Sequence, residues 1–183
     1  MFEYNEEGRK VGNAIGLLKA ANWLINKKVH IINLSVAGAD NKVLRRIFQK
    51  ALQQKLVMVA AGGNWGRADK PAFPAAYKGV IAVTAISDQG LIYSKANTGT
   101  YIDFAAPGVR VYTAAPGGGG RLQSGTSFAT PFITALMGLE IAKGNAKTSL
   151  ALGALLKKNV KDLGLPGRDE IFGWGFARRK PNC

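Results

Sequence analysis

Apolar residues recur at helical spacing in two stretches of the chain, and a short apolar run follows each of them. Residues 11–26 and 42–55 place apolar side chains every three or four positions, which predicts two amphipathic helices. Residues 29–35 and 56–61 are largely apolar and lead into small residues, which is typical of buried parallel strands. This helix–strand–helix–strand order predicts an α/β fold built on a parallel sheet.

The later part of the chain predicts further elements of both kinds. Residues 80–85 and 109–112 predict two more strands, and residues 148–160 predict another helix. Residues 132–141 are apolar on nearly every helical face, which predicts a buried helix. The four glycines at residues 117–120 predict a mobile loop, because glycine destabilises the interior of a strand.

A serine lies at the predicted entrance of the buried helix, within the sequence GTSFATP at residues 125–131. Gly125 permits a sharp turn, and Thr126 and Ser127 favour a first helical turn, where backbone N–H groups have no partner inside the helix. Pro131 has no N–H to donate to the Ser127 carbonyl, so this turn is expected to bend or loosen. The free N–H groups suit a developing negative charge beside a hydroxyl. An ordinary capped helix explains the same residues equally well.

Asn64 follows the second predicted strand through a pair of glycines. In parallel α/β sheets, ligands bind beyond the carboxyl ends of the strands, and the loops that begin near Ser35 and Gly62 both lie there. This places Asn64 at the edge of a candidate site. A plain turn is the alternative interpretation, since Gly and Asn are common turn formers.

Three motifs resemble those of the subtilisin-like serine proteases, the S8 peptidase family. INLS at residues 32–35 resembles the strand that leads to the specificity pocket, VAAGGNWG at residues 59–66 resembles the stretch with the oxyanion-hole asparagine, and G-T-S-x-A-x-P at residues 125–131 resembles the nucleophile motif. The resemblance covers about residues 11–178. It implies Ser127 as the nucleophile and Asn64 as an oxyanion donor.

The same resemblance implies a three-layer, doubly wound, mostly parallel sheet. Residues 1–183 would form a single partial peptidase domain whose N-terminal part is missing. A polypeptide is the implied substrate. Residues 35–37 and 61–63 would supply backbone for the substrate strand and walls for the specificity pocket, with Trp65 on the pocket rim. The implied substrate-binding residues are Ser35, Val36, Ala37, Ala61, Gly62, Gly63, Trp65 and Thr126.

Two further features are implied outside the substrate site. The Phe73–Pro74 bond is a candidate cis peptide by the same resemblance. Asp103 is expected to be structural rather than catalytic. No cofactor is required, but Asp103 with nearby backbone carbonyls is a candidate site for a weakly bound Ca²⁺ or monovalent cation.

The chain has a single histidine, His30, at the start of a predicted core strand. A serine nucleophile needs a base, normally a histidine that a carboxylate orients. In the resembled family the Asp and His precede the region that begins here near Val11, so His30 is expected to be structural. The chain thus resembles the C-terminal two-thirds of a catalytic domain, inactive alone, with an upstream segment or separate chain supplying Asp and His. The alternative is a non-catalytic remnant or a peptide-binding pseudo-protease.

Basic residues outnumber acidic residues by 25 to 11, for a formal net charge of +14. Such a charge favours anionic partners, nucleic acid among them. The basic pairs are dispersed without an interleaved aromatic platform, so a solvated basic surface is favoured over a nucleic-acid site. The only cysteine, Cys183, excludes an intrachain disulfide.

No apolar stretch of the chain is long enough to predict a membrane span, and residues 1–7 do not resemble a signal peptide. The family alone is compatible with a secreted or periplasmic location, and the sequence leaves the compartment open.

Overall fold

Ten strands and four helices form the described part of the computed structural model, which comprises residues 2–4 and 10–178. The strands are β1 (Phe2–Tyr4), β2 (Lys10–Gly12), β3 (Ile31–Leu34), β4 (Val57–Ala61), β5 (Ile81–Ile86), β6 (Phe104–Pro107), β7 (Val111–Ala114), β8 (Gly120–Gln123), β9 (Val160–Lys161) and β10 (Phe176–Ala177). The helices are α1 (Ala14–Asn26), α2 (Lys42–Gln53), α3 (Thr126–Ala142) and α4 (Ser149–Lys157).

Six of these strands form one sheet in the order β3-β4-β5-β6-β10-β9. Strands β3 to β6 are parallel to one another, β10 is parallel to β6, and β9 is antiparallel to β10. Leu34 pairs with Ala60, so the chain leaves β3 and β4 at the same edge of the sheet. The predicted α/β fold with a mostly parallel sheet is confirmed.

Helices cover both faces of the sheet. Strand β4 is buried at all five positions, and its side chains alternate between the two faces. Val57 and Val59 belong to the core cluster that contains Met137 of α3, whereas Met58 belongs to the cluster that contains Phe48 of α2. Burial of each large apolar side chain stabilises the fold by about 1.5–3 kcal/mol.

Polar side chains fix where three of the helices begin. The Asn13 side chain accepts a hydrogen bond from the Gly16 N–H at 2.6 Å, so α1 begins three residues later than the apolar spacing predicts. Asn41 caps α2 and Thr148 caps α4 in the same way. The three residues before Asn13 form β2.

Two predictions about the second half of the chain are wrong. The four-glycine stretch is not wholly a loop, because Gly120 begins β8 and pairs with Ala114 of β7 in an antiparallel hairpin. Helix α3 is not buried on nearly every face, since Phe132 is 43% exposed and Leu139 is 45% exposed. Apolar composition alone does not show which helical face a neighbouring element covers. Among the described residues, no helix is both long and apolar enough to cross a membrane.

Candidate active site

Ser127 lies in the first turn of α3, beside the end of β3. Its Oγ donates a hydrogen bond to the backbone carbonyl of Ser35 at 3.2 Å, and the Ser35 Oγ donates to the backbone carbonyl of Ser127 at 2.9 Å. The Ser127 side chain is half-buried. Within the described residues no ionisable group hydrogen-bonds to this hydroxyl, and its proton is donated to a neutral carbonyl.

Pro131 explains why the side chain of Ser35, which follows β3, reaches the Ser127 carbonyl. Because proline has no N–H, this carbonyl lacks the helical donor four residues further on. The Ser35 Oγ supplies that donor and itself accepts a hydrogen bond from the Asn33 Nδ2 at 2.8 Å. The Asn33 Oδ1 lies 3.0 Å from the Thr134 Oγ1. The hydrogen bond that the first turn lacks is therefore supplied by Ser35, directly after β3, which connects the serine to the end of that strand.

Asn64 is oriented by Thr126, the residue before the serine. The Asn64 Oδ1 accepts hydrogen bonds from the N–H and the Oγ1 of Thr126 at 2.9 and 3.0 Å. The Asn64 Nδ2 and the Ser127 N–H donate no hydrogen bond within the described residues. Gly125 has φ 153°, and a Cβ there would lie 3.3 Å from the Asn64 Nδ2. Two N–H donors at the start of α3 are thus left without acceptors among the described residues.

Asn97 holds the loop that carries Asn64. It is fully buried, its N–H donates to the Gly63 carbonyl at 3.0 Å, and its Oδ1 accepts from the Trp65 N–H at 2.8 Å. Its Nδ2 donates to the Lys70 carbonyl at 2.9 Å. Asn97 was not predicted as a site residue, because an asparagine followed by Thr and Gly has the same local pattern as a turn residue.

The backbone of Gly62 and Gly63 is occupied within the protein, contrary to the expectation that it would pair with a substrate strand. The Gly62 N–H donates to the Val83 carbonyl at 2.8 Å, and the Gly62 carbonyl accepts from the Tyr101 Oη at 2.6 Å. The Gly63 N–H donates to the Thr126 Oγ1 at 3.2 Å. Burial raises the pKa of the Tyr101 phenol. These glycines can form a pocket wall, but their N–H groups are not available to a peptide.

Ala61 and Thr126 are predicted to contact substrate, and both are buried in the structure. Ala61 is 1% exposed and Thr126 is 0% exposed. Thr126 acts instead on Asn64, through the two hydrogen bonds described above.

The segment after β3 is open to solvent and keeps its backbone groups free. Val36 and Ala37 are exposed, and their N–H and C=O groups make no hydrogen bond within the described residues. The next residue, Gly38, pairs with Phe73 through hydrogen bonds of 2.8 and 3.0 Å. Together they line a cleft of about 710 Å³. This segment has the geometry to pair with an extended peptide.

Trp65 is 38% exposed, and the Lys70 Nζ lies 4.8 Å from its ring centroid. Ala72 is fully buried, and the Phe73–Pro74 peptide is cis, as predicted.

The sequence profile described as the subtilase family matches residues 7–175. The chain belongs to the subtilase family. Members of this family are serine-type peptidases. The minor extracellular protease Epr of Bacillus subtilis (strain 168) is 35% identical over 170 residues, which cover 92% of this chain and 26% of that protein.

Solved structures of this family share the fold. The patellamide maturation protease PatA superposes with a TM-score of 0.78 at 28% identity, over 93% of this chain and 67% of that one. A cold adapted subtilisin-like serine proteinase superposes with a TM-score of 0.82 at 24% identity, over 93% of this chain and 63% of that one. The chain thus spans about a quarter of the length of Epr and about two thirds of these two structures.

The single histidine of this subtilase lies at the opposite end of β3 from Ser127. His30 precedes the strand and Ser35 follows it, so five residues of extended chain, about 16 Å, separate them. His30 is exposed, and its carbonyl accepts from the Val57 N–H at 3.1 Å. It cannot accept the proton of Ser127 directly.

Asp103 joins neighbouring parts of the fold. Its Oδ2 accepts from the Ala82 N–H at 2.9 Å, and its Oδ1 lies 3.6 Å from the Arg168 Nη2. Burial raises the pKa of the Asp103 carboxyl. These contacts agree with the structural role expected for it, and the weak cation site stays a prediction.

Proposed function

We propose that Ser127 is the nucleophile of a serine endopeptidase. Its Oγ attacks the peptide carbonyl and forms an acyl-enzyme as the amine leaves, and water then hydrolyses the ester. The observation that supports this most is a pair of N–H donors without acceptors among the described residues: the Asn64 Nδ2, whose amide is held by Thr126, and the backbone N–H of Ser127 itself. Both would donate to the oxyanion that develops on the carbonyl oxygen.

The substrate would bind as an extended strand beside residues 35–37. The free N–H and C=O groups of Val36 and Ala37 favour this arrangement, since main-chain pairing provides affinity that does not depend on sequence. The cleft lined by Gly38 and Phe73 would receive substrate side chains.

The base is proposed to come from polypeptide that is not part of this sequence, as a segment or chain with the family's Asp and His. The chain has one histidine, and β3 separates it from Ser127. Among the described residues, β3 pairs only with β4, so the edge of β3 beside Ser127 is open to another strand. The exposed Phe132 and Leu139 add uncovered apolar side chains on α3.

Complementation tests this proposal. The chain is mixed with a polypeptide carrying the family's Asp-x-Gly and His-Gly-Thr segments, and hydrolysis of a peptide ester is followed. We expect negligible turnover from either part alone and Ser127-dependent turnover from the mixture, with Ser127→Ala as the control. Equal turnover from the Ser127→Ala mixture would contradict the assignment of the nucleophile.

A peptide-binding protein without chemistry is the second candidate. It is favoured by the hydrogen bond of the Ser127 hydroxyl, which donates to the neutral backbone carbonyl of Ser35 and not to a base. Saturable peptide binding by a folded mixture that shows no turnover would favour this candidate.

A further inference from the structure

A basic cavity lies at the end of the sheet opposite Ser127. It has a volume of about 480 Å³, and its polar lining comprises Lys28, Lys55, Lys147, His30 and Gln54. We call it the lysine cavity. The proposed peptidase chemistry does not use it, because the length of β3 separates it from Ser127.

Two of these lysines occupy backbone conformations that favour glycine. Lys28 follows α1 with φ 53°, and Lys55 follows α2 with φ 66°. In both turns the lysine N–H and the N–H of the next residue bond back to carbonyls of the last helical turn, which is the usual helix ending with a left-handed residue. Glycine adopts this conformation without the steric strain that a side chain brings. The chain nevertheless has a long cationic side chain at both positions.

The fold brings these two lysines to the same cavity. Each lies shortly before a strand, and β3 and β4 are parallel neighbours with Ile31 paired to Val57. Adjacent strands are about 4.8 Å apart, so the two helix ends converge on one edge of the sheet. Lys147 approaches the same cavity from the connection between α3 and α4.

No acidic side chain balances this charge. The lining contains no Asp or Glu, and none of the three lysines forms an ion pair within the described residues. The dipoles of α1 and α2 favour a cation at the C-terminal end of each helix, which explains one lysine at each end, Lys28 and Lys55. They do not account for Lys147, which belongs to a third segment.

We propose that the lysine cavity binds a small molecule that bears several phosphate groups. Lysine ammonium groups bind phosphate as point charges, and three of them around one cavity suit a multiply charged anion. Ile25, Leu56 and Ile141 line the same cavity and provide an apolar wall for the rest of the molecule. The volume lies in the range of small-molecule sites.

Binding of inorganic tripolyphosphate to the full chain tests the proposal by calorimetry and by NMR. His30 is the only histidine of the chain, so its ring signals report directly on the cavity. We expect saturable binding that shifts these signals. In the double variant Lys28→Gly/Lys55→Gly we expect the affinity to fall at least about tenfold. Glycine suits both backbone positions, so the melting temperature should not fall with the affinity.

Lys78→Gln is the matched control, because Lys78 is exposed, has no ion pair with any described residue and is not part of the cavity. It should bind tripolyphosphate within about twofold of the unaltered chain, since surface charges outside the site are screened. An equal loss of affinity in Lys78→Gln would show diffuse surface attraction and overturn the proposal. If the His30 signals did not change at saturating tripolyphosphate, the proposal would also be overturned. Binding of a DNA duplex through these lysines, without binding of tripolyphosphate, would overturn it as well.

Discussion

Thr126→Val removes the hydroxyl that orients Asn64 while nearly preserving the side-chain volume. In the structure the Thr126 Oγ1 donates to the Asn64 Oδ1 and accepts from the Gly63 N–H. Valine can do neither. The Thr126 N–H still donates to the Asn64 Oδ1 at 2.9 Å, so the Asn64 side chain loses one of the two hydrogen bonds that orient it.

The expected magnitudes follow from those contacts. The buried Gly63 N–H loses its acceptor, which should lower the free energy of unfolding by about 1–3 kcal/mol. Loss of one hydrogen bond worth about 0.5–1.5 kcal/mol should reduce turnover of the complemented enzyme by roughly 2- to 10-fold. Asn64→Ala removes the donor itself, and turnover should fall by about 10²–10³-fold.

Turnover of a peptide ester and urea unfolding, each measured for both variants, check this reasoning. Thr126→Ser keeps the hydroxyl and serves as the control, so its turnover should stay near that of the unaltered chain. If Thr126→Val retained full turnover while Asn64→Ala lost it, Thr126 would not be what orients the amide.

Three other predictions concern association, pH and specificity. The chain alone should self-associate, because the β3 edge and Phe132 are uncovered; light scattering that shows a monomer with a cooperative melt and no ANS binding would contradict this. Burial raises the pKa of Asp103 in the folded state, so its contribution to stability is greatest below the unfolded pKa and is lost as pH rises through the folded pKa. The difference in unfolding free energy between the chain and Asp103→Asn should therefore change in that direction from about pH 4 upward. The complemented enzyme should cleave after Leu or Met in preference to Lys or Arg, since a well-fitting apolar side chain gains about 1.5–3 kcal/mol and Lys70 lies beside Trp65. A peptide library should show this preference weakening in Trp65→Ser, and equal cleavage after Lys would refute it.

The sequence predicted all four helices and strands β3, β4, β5 and β7, because apolar spacing depends on local residues. The resemblance of the motif at residues 125–131 supplied the candidate nucleophile. Apolar spacing identified α1, α2, β3 and β4, and the motif around Ser127 pointed to the first turn of α3. The start of α1 was missed because the Asn13 cap lies inside the apolar pattern rather than before it.

Contacts between distant residues could not be read from the sequence. The Ser35 and Ser127 hydrogen bonds join residues 92 positions apart, and those of Thr126 to Asn64 span 62 positions. The sequence therefore suggested substrate contact for Thr126, whereas the fold buries it behind Asn64. The presence of Lys28 and Lys55 at one cavity likewise depends on the register of β3 and β4.

Covalent labelling by a fluorophosphonate tests most directly whether Ser127 is the nucleophile and whether its base comes from another polypeptide. The complemented enzyme and the isolated chain are treated with the probe, and the modified residue and its rate are determined by mass spectrometry. We expect stoichiometric labelling of Ser127 in the complemented enzyme and only slow labelling in the isolated chain, because no base reaches the hydroxyl there. Rapid labelling of Ser127 in the isolated chain would contradict the external base, and labelling of another residue in the complemented enzyme would contradict the nucleophile.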